Sequence, residues 1–284
     1  MKTYMDCIPC FVRQSLEAAR IGSDDPALQE RIMREALKLA VNLDYNDTPP
    51  ALGQKMHRLV RKIGGNPDPY AKIKKKSNML ALALLPDCNR LVRESKNPFE
   101  TAVRLAIAGN IIDYGVNGAL KDEQVNTSIR EALHAEIDHA AIEQLRNAVK
   151  GAEDILYLGD NAGEIVLDRL LVEQLPREKL TYVVKGSPIL NDVTMKDARQ
   201  SGMTDLVEVI DNGSDAPGTI LASCSKEFRQ RFDKADLILA KGQGNYETLS
   251  NVDNKIFFLL KAKCPVIARD IGCDIGSLIV TDHV

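Results

Sequence analysis

The sequence contains no tryptophan, and aromatic residues make up only 5% of its 284 residues. Proteins that bind single-stranded nucleic acid stack the bases on exposed aromatic rings, so this composition gives that function no support. The chain also lacks an excess of basic residues, since 37 Lys and Arg are set against 40 Asp and Glu for a net charge of −3. We therefore expect no nucleic acid among the partners of this protein.

Long apolar segments are missing as well. The longest apolar run covers residues 79–85, far short of the roughly 20 residues that cross a bilayer. Residues 1–7 lack the apolar core of a signal peptide. We expect no membrane partner and a cytoplasmic location, where the six cysteines would be thiols or ligands and not disulfides.

The first half of the chain carries the start and stop signals of helices. A capping residue followed by proline marks a start, because proline fits the first helical position. Four such pairs occur: Asp25-Pro26, Thr48-Pro49, Asp68-Pro69 and Asn97-Pro98. Gly22 and Gly64-Gly65 are placed to end helices, and Asp138 to begin the last one. We predict a mainly α-helical domain over residues 1–150.

The second half changes to short apolar runs that are typical of strands. They cover residues 154–158, 180–184, 206–210, 237–240 and 256–260. Helical patterns lie between most of them, for example at residues 165–175 and 219–232. Strands that alternate with helices predict a mostly parallel sheet, and continuous apolarity predicts strands covered on both faces. The predicted fold class is therefore α/β.

Polar, glycine-rich turns follow four of these predicted strands, at one edge of the sheet, where α/β proteins bind ligands. Asp160, Asn161 and Asp192 offer oxygen ligands that suit Mg²⁺ or Mn²⁺. Lys185 and Lys241 are charges that could hold a phosphate. Together these groups indicate phosphoryl transfer. Each turn taken alone also fits an ordinary loop or helix cap.

Five motifs occur in a fixed order along the chain. The helical half contains Asp6-Cys7-Ile8-Pro9-Cys10 and Gly109-Asn110-Ile111-Ile112-Asp113-Tyr114-Gly115. The second half contains Gly159-Asp160-Asn161-Ala162-Gly163-Glu164, Asn191-Asp192-Val193-Thr194 and Lys241-Gly242-Gln243-Gly244-Asn245-Tyr246-Glu247. As a set they resemble the damage-control phosphatase family, first catalogued as domain of unknown function 89, in its stand-alone prokaryotic and archaeal branch.

The resemblance implies a helical N-terminal region packed on a Rossmann-like sheet domain over residues 151–284. It implies a divalent metal (Mn²⁺, Co²⁺, Ni²⁺ or Mg²⁺) bound by Asp160, Asn161 and Asp192. The implied activity is hydrolysis of phosphate esters of small metabolites, either damaged or surplus phosphometabolites or sugar phosphates. The Arg-Thr-x-Lys signature of the eukaryotic sugar-phosphate branch is not evident, since residues 268–271 read Ala-Arg-Asp-Ile. A sugar phosphate in particular therefore gains no support.

Residue roles follow from the chemistry of the strand ends and, for the metal ligands and residues 241–247, from the resemblance. Asp160 and Asp192 are the expected catalytic residues, and the nucleophile is either a metal-activated water or the Asp160 carboxylate. The expected substrate and phosphate contacts are Lys185, Ser214, Lys241, Gly242, Gln243, Gly244, Asn245 and Asn110. Asn110 and Asp113 interrupt an apolar helical stretch, so they are either a buried cap at a helix break or contacts that reach over the site.

Three further interpretations stay open. Cys7 and Cys10 are three residues apart, which puts them on one face if the segment is helical, and they form either a second metal or redox site or a pair of buried free thiols. The rival function is a Rossmann-like nucleotide- or S-adenosylmethionine-binding protein, including a carboxyl methyltransferase. Against it, residues 159–164 do not form a G-x-G-x-x-G fingerprint. A metal-binding regulatory module without turnover is the non-enzymatic alternative. The sequence does not predict the oligomeric state.

Overall fold

A computed structural model of the chain describes residues 1–109 and 122–282. The part before the first strand is helical. Its helices are α1 (Cys7–Gly22), α2 (Pro26–Val41), α3 (Pro49–Gly64), α4 (Ala71–Glu94), α5 (Pro98–Ala108), α6 (Asp122–His134) and α7 (His139–Gly151). No helix among the described residues is both long enough and apolar enough to cross a membrane.

The remaining elements form a six-stranded sheet with helices between the strands. They are β1 (Ile155–Leu158), α8 (Glu164–Val172), β2 (Leu180–Val184), α9 (Met195–Ser201), β3 (Glu208–Asp211), α10 (Lys226–Lys234), β4 (Leu237–Lys241), α11 (Gly242–Leu249), β5 (Ile256–Lys261), α12 (Pro265–Ile271) and β6 (Leu278–Asp282). The strand order is β3-β2-β1-β4-β5-β6, with β1 to β5 parallel and β6 antiparallel to β5. The predicted mostly parallel α/β fold is confirmed. The order reverses at β1, which places a ligand crevice beyond the ends of β1 and β4.

Most predicted helix boundaries are confirmed. Asp25 and Asn97 each accept a backbone N–H at the start of a helix whose first residue is proline, and Asp138 caps α7 through Ala140 and Ala141. The prediction at Asp68-Pro69 was wrong, because α4 begins two residues after that proline. The Asp68 carboxylate instead pairs with Lys74 Nζ at 2.9 Å.

Three predictions in the second half need correction. The helix expected from residue 219 begins at Lys226, because Ser225 caps it through the N–H of Phe228, while Thr219 bonds to Asn245 and Thr248. Strand β3 lies at the sheet edge and is partly exposed, so it is not covered on both faces. Strand β6 was missed because its apolar residues occur near the end of the chain without a following helix pattern.

The main hydrophobic core extends across residue 150. Leu105 and Ile107 of α5 belong to the same buried cluster as Ile165 and Leu170 of α8 and the inward residues of the central strands. Burying one Leu or Ile side chain contributes roughly 1.5–3 kcal/mol, so this packing fixes the helical half against the sheet. The division into residues 1–150 and 151–284 stays a proposal about chain organisation, because the two parts share this core.

Candidate active site

The turns after β1 and β2 bring Asp160, Asn161 and Asp192 together. Asn161 and Asp192 pair as an isolated antiparallel bridge, and Val193 N donates to Asp160 O at 2.8 Å. All three side chains belong to residues that are less than 10% exposed. The predicted metal ligands therefore form one buried group at the carboxyl ends of two neighbouring strands.

The Asn161 side chain has a defined orientation. Its Nδ2 donates to Asp160 Oδ2 at 2.8 Å and to Glu164 Oε2 at 3.2 Å. Both partners are carboxylates, which accept hydrogen bonds, so the amide nitrogen must face them. The amide oxygen, the end that can coordinate a cation, is left for another partner.

Helix α11 begins directly against Asp160. Gly242 has a φ of 78°, and a Cβ at this position would lie 2.0 Å from Asp160 Oδ2. Such a distance is a clash with a buried carboxylate, and φ in this range already disfavours other residues. The glycine therefore allows the first turn of α11, with its free N–H groups, to approach the predicted metal ligands.

Burial makes the carboxylates of this group expensive to ionise. Burial and the charges of Glu164 and Asp192 raise the pKa of Asp160 well above its ordinary value. Burial also raises the pKa of Asp192 to about 6, although Lys185 acts in the opposite direction. Asp192 Oδ2 has no hydrogen-bond partner among the described residues, and Lys185 Nζ lies 3.5 Å away. A cation would relieve both penalties.

The charges of the buried groups do not balance. Four carboxylates and two ammonium groups are buried together here: those of Asp160, Glu164, Asp168, Asp192, Lys185 and Lys241. When all are ionised they leave a net charge of −2, which one divalent cation would neutralise. Within residues 1–109 and 122–282, no three His, Cys, Asp or Glu side chains are arranged to hold a metal, so this set relies on two carboxylates and one amide.

Lys185 lies at the end of β2, facing Asp192. Its Nζ donates to the carbonyl of Gly218, and its residue is 2% exposed. An ammonium group has three N–H donors. With one donor committed to Gly218 and one directed at Asp192, the third has no acceptor among the described residues.

Lys241, at the end of β4, has different surroundings. Its Nζ donates to Ala106 O at 2.8 Å, Glu164 Oε1 at 2.5 Å and Asp168 Oδ1 at 2.7 Å, and it is fully buried. Glu164 and Asp168 were missed as site residues. The available signal was their spacing, because the two carboxylates are four residues apart in α8, a helix whose other residues are apolar except Arg169, and so they share one face.

The other predicted contacts occupy the loops around this group. Ser214 Oγ bonds to Ser223 Oγ at 2.7 Å, and Asn245 joins Lys241 O to Thr219 Oγ1. Gly244 packs against Gly218. Gln243 is directed at Glu247 and Cys264. These side chains support the loops, while Asn110 and Asp113 lie outside the described residues.

The cysteine pair begins α1, where Glu247 and Cys264 are near enough to Cys7 to act on its thiol. Cys10 Sγ accepts from Arg13 at 3.9 Å and from Gln14 at 3.6 Å, and both cysteines are half-buried free thiols. Burial raises the pKa of Cys7. In the described part of the chain no third His, Cys, Asp or Glu completes a metal site with them. The proposed second metal or redox role therefore has no geometric support beyond the pair itself.

Comparison with known proteins gives consistent matches over the whole chain. The model of the damage-control phosphatase ARMT1-like domain matches residues 3–279. A damage-control phosphatase of Pyrococcus horikoshii is 37% identical and one of Archaeoglobus fulgidus is 38% identical, each over 98% of this chain and at least 97% of the relative. A crystal structure of a DUF89 family protein from P. horikoshii superimposes with a TM-score of 0.89 at 34% identity and covers 100% of both chains.

Proposed function

The chain belongs to the ARMT1-like damage-control phosphatase family, and from this premise we propose that its activity depends on a divalent metal held by Asp160, Asn161 and Asp192. Its substrates are phosphorylated small molecules. The family match supports the phosphatase and gives no support to the rival methyltransferase interpretation. The observation that carries the metal proposal is the set of four buried carboxylates with only two buried ammonium groups. Among the described residues, Asp192 Oδ2 accepts no hydrogen bond and has only the ion pair with Lys185 at 3.5 Å.

The residues fit a small, oxygen-loving cation. Two carboxylates and the outward amide oxygen of Asn161 are the ligands that Mg²⁺ and Mn²⁺ prefer, and Co²⁺ and Ni²⁺ also accept them. When bound, such an ion supplies neutralisation of phosphoryl charge and activation of a nucleophile. The three side chains hold it, and the backbone bridge between Asn161 and Asp192 keeps them in register.

The phosphate would bind between Lys185 and the start of α11. Lys185 has one N–H without an acceptor among the described residues, and Gly242, Gln243 and Gly244 supply backbone N–H groups in the first helical turn. Ser214 and Asn245 shape the adjoining loops through their side-chain bonds. Asn110 is proposed as a contact from the helical half. These groups bind and orient a phosphate monoester, which is the main demand of phosphoryl transfer.

Two nucleophiles fit the arrangement. Either a water molecule attacks phosphorus and Asp160 only holds the metal, or Asp160 attacks and forms a phospho-enzyme. The two routes differ in whether a covalent phospho-enzyme forms. A single turnover is quenched in acid, reduced with borohydride, which converts an aspartyl phosphate to homoserine, and the Asp160 peptide is examined by mass spectrometry. Reduction at this position identifies the carboxylate as nucleophile, and an unmodified Asp160 identifies water.

The proposal is tested by hydrolysis of p-nitrophenyl phosphate after removal of metals with a chelator. We expect no release without metal, restored release with one or more of the four cations, and loss of activity in Asp160→Asn and Asp192→Asn. Undiminished activity in the stripped protein, or in both variants, would overturn the proposed metal site. A panel of phosphorylated metabolites then ranks the substrates.

A further inference from the structure

Lys241 and Asp168 lie behind the proposed metal site. We propose that Lys241 is a positioning residue: it holds Glu164, Glu164 holds the amide of Asn161 with its oxygen toward the metal, and Asp168 fixes Lys241. This inference rests on the proposed function, because it assigns Asn161 to a metal. It gives Lys241 a role different from the phosphate contact that its sequence motif suggested.

The hydrogen bonds of Lys241 carry the first step. An ammonium group has three donors, and three internal acceptors take them: Ala106 O, Glu164 Oε1 and Asp168 Oδ1. A phosphate contact would require Lys241 to release one of these fully buried acceptors, which costs more than an exposed bond. Lys185 has no such conflict, because one of its donors is uncommitted among the described residues.

Glu164 carries the second step. One carboxylate oxygen, Oε1, accepts from Lys241, and the other, Oε2, accepts from Asn161 Nδ2 at 3.2 Å. With only 2% of Glu164 exposed, its charge needs the adjacent ammonium group. Without Lys241, Glu164 would have to take up a proton or turn away. Either change removes one of the two acceptors that orient the Asn161 nitrogen and leaves only Asp160 Oδ2.

Asp168 anchors the far end. Its Oδ1 accepts from Lys241 and from Tyr157 OH at 2.9 Å, and its Oδ2 accepts from Tyr182 OH at 2.7 Å. The two phenol rings stack with centroids 5.0 Å apart in the sheet core. Tyrosines of strands β1 and β2 therefore fix the Asp168 carboxylate, which in turn accepts a hydrogen bond from Lys241. From Asn161 through Glu164 and Lys241 to Asp168, each side chain of this network is hydrogen-bonded to the next. Side chains that orient metal ligands are usually hydrogen-bonded in this way.

The test separates metal binding from phosphate binding with matched lysine variants. Lys241→Met and Lys185→Met are titrated with Mn²⁺ alone by calorimetry, and KM for p-nitrophenyl phosphate is measured at saturating Mn²⁺. We expect Lys241→Met to weaken Mn²⁺ binding about 10- to 100-fold, the usual effect of losing an outer partner, with KM close to wild type. Lys185→Met should instead raise KM by about 10-fold or more.

Lys241→Met leaves two buried carboxylates unpaired, so a milder variant keeps the test decisive if that protein does not fold. Tyr182→Phe removes one donor at the far end and should weaken Mn²⁺ binding about 2- to 10-fold without raising KM. Tyr70→Phe, another buried tyrosine, lies outside the network and should leave Mn²⁺ affinity unchanged.

The outcomes distinguish two failures. If Lys241→Met and Tyr182→Phe bind Mn²⁺ like wild type, or Lys241→Met raises KM instead, the positioning role is wrong while the metal site stands. If wild type binds no Mn²⁺, or Asp160→Asn binds it equally well, the proposed metal site itself is wrong.

Discussion

Asn78 of α4 accepts the backbone N–H of Gly163 at 2.6 Å, although the two residues are 85 positions apart. The same side chain donates to Asp197 Oδ1 at 3.1 Å and to Gln200 Oε1 at 3.2 Å. Gly163 precedes α8 with a φ of 82°, and Asp197 belongs to α9, which follows the Asp192 loop. One fully buried amide from the helical half therefore ties together the two loops of the candidate site.

Replacing this amide should damage both stability and activity. Asn78→Ala leaves the N–H of Gly163 without its acceptor and Asp197 Oδ1 without its donor, while Asp197 Oδ2 keeps its bonds from Thr194. Unsatisfied buried groups cost roughly 1–3 kcal/mol each. We expect a clearly lower melting temperature and reduced kcat for p-nitrophenyl phosphate. Asn42→Ala is the control, because Asn42 bonds only to its own helix on the surface. Equal melting temperatures for Asn78→Ala and wild type would contradict the bridging role.

Gly242→Ala tests the close approach of α11 to Asp160. The added Cβ would lie 2.0 Å from Asp160 Oδ2, so the carboxylate or the helix start must move. Gly272→Ala is the matched control, since Gly272 has a φ of 80° and no neighbour within 4 Å of an added Cβ. Both variants bear about 1–2 kcal/mol of backbone strain. Only Gly242→Ala should lose Mn²⁺ binding and phosphatase activity, and equal losses in both would point to strain alone.

The pKa of Asp192 predicts how metal binding depends on pH. Burial raises this pKa to about 6 in the metal-free protein, and a carboxyl must lose its proton before it coordinates a metal. Protons should therefore compete with Mn²⁺ below pH 6, with about a tenfold loss of affinity per pH unit from this group. Calorimetry at pH 7.5 and pH 5, in buffers of different ionisation enthalpy, measures affinity and proton release. An affinity independent of pH over this range would contradict the assignment.

The raised pKa of Asp192 also affects the stability of the metal-free protein. A carboxyl whose folded pKa lies above its unfolded value destabilises the folded state, and this penalty is fully present above the folded pKa. Stability of the metal-free protein should therefore fall as pH rises from about 4 to above 6. The free energy of unfolding, measured with urea, should fall less over this pH range in Asp192→Asn, whose side chain cannot ionise. In wild type, saturating Mn²⁺ should remove the fall in the free energy of unfolding with rising pH.

The sequence was sufficient for features that short segments determine. The caps at Asp25 and Asn97 and the parallel strands follow from local patterns, and the ordered motifs located Asp160, Asn161 and Asp192. The start of α10 was placed wrongly because Thr219 is held by Asn245, a tertiary contact that no local pattern contains.

The roles of the lysines show the limit more sharply. Lys185 and Lys241 both follow strands and read alike as phosphate contacts. What distinguishes Lys241 is the set of acceptors that α8 and α5 place beside it, namely Glu164, Asp168 and the Ala106 carbonyl. Those neighbours are distant in sequence, so the difference between an available ammonium group and a committed one becomes visible only in the fold.

Asp215 provides a last test, at the contact between α3 and the loop after β3. Its carboxylate accepts from Gln54 Nε2 at 2.8 Å, from Arg58 Nε at 2.9 Å and from Arg61 at 2.5 Å. Arg61 also donates to Pro188 O at 2.8 Å, which ties in the loop that precedes Asp192. Burial would raise the pKa of Asp215, but the bonds from Arg58 and Gln54 outweigh it and lower the pKa to about 2.

Asp215→Asn should therefore destabilise the protein at neutral pH by roughly 1–3 kcal/mol, the usual cost of losing a charged hydrogen-bond partner. A carboxylate with a lowered folded pKa stabilises above its unfolded pKa and loses that contribution as pH falls toward the folded value. The difference in the free energy of unfolding between wild type and Asp215→Asn, measured with urea, should thus shrink as the pH falls from about 4 to about 2. Asp47→Asn is the control, because its ion pair with Lys55 is exposed and contributes about 0–1 kcal/mol. A difference for Asp215→Asn that stays constant down to pH 2 would show that the carboxylate charge does not hold α3 to this loop.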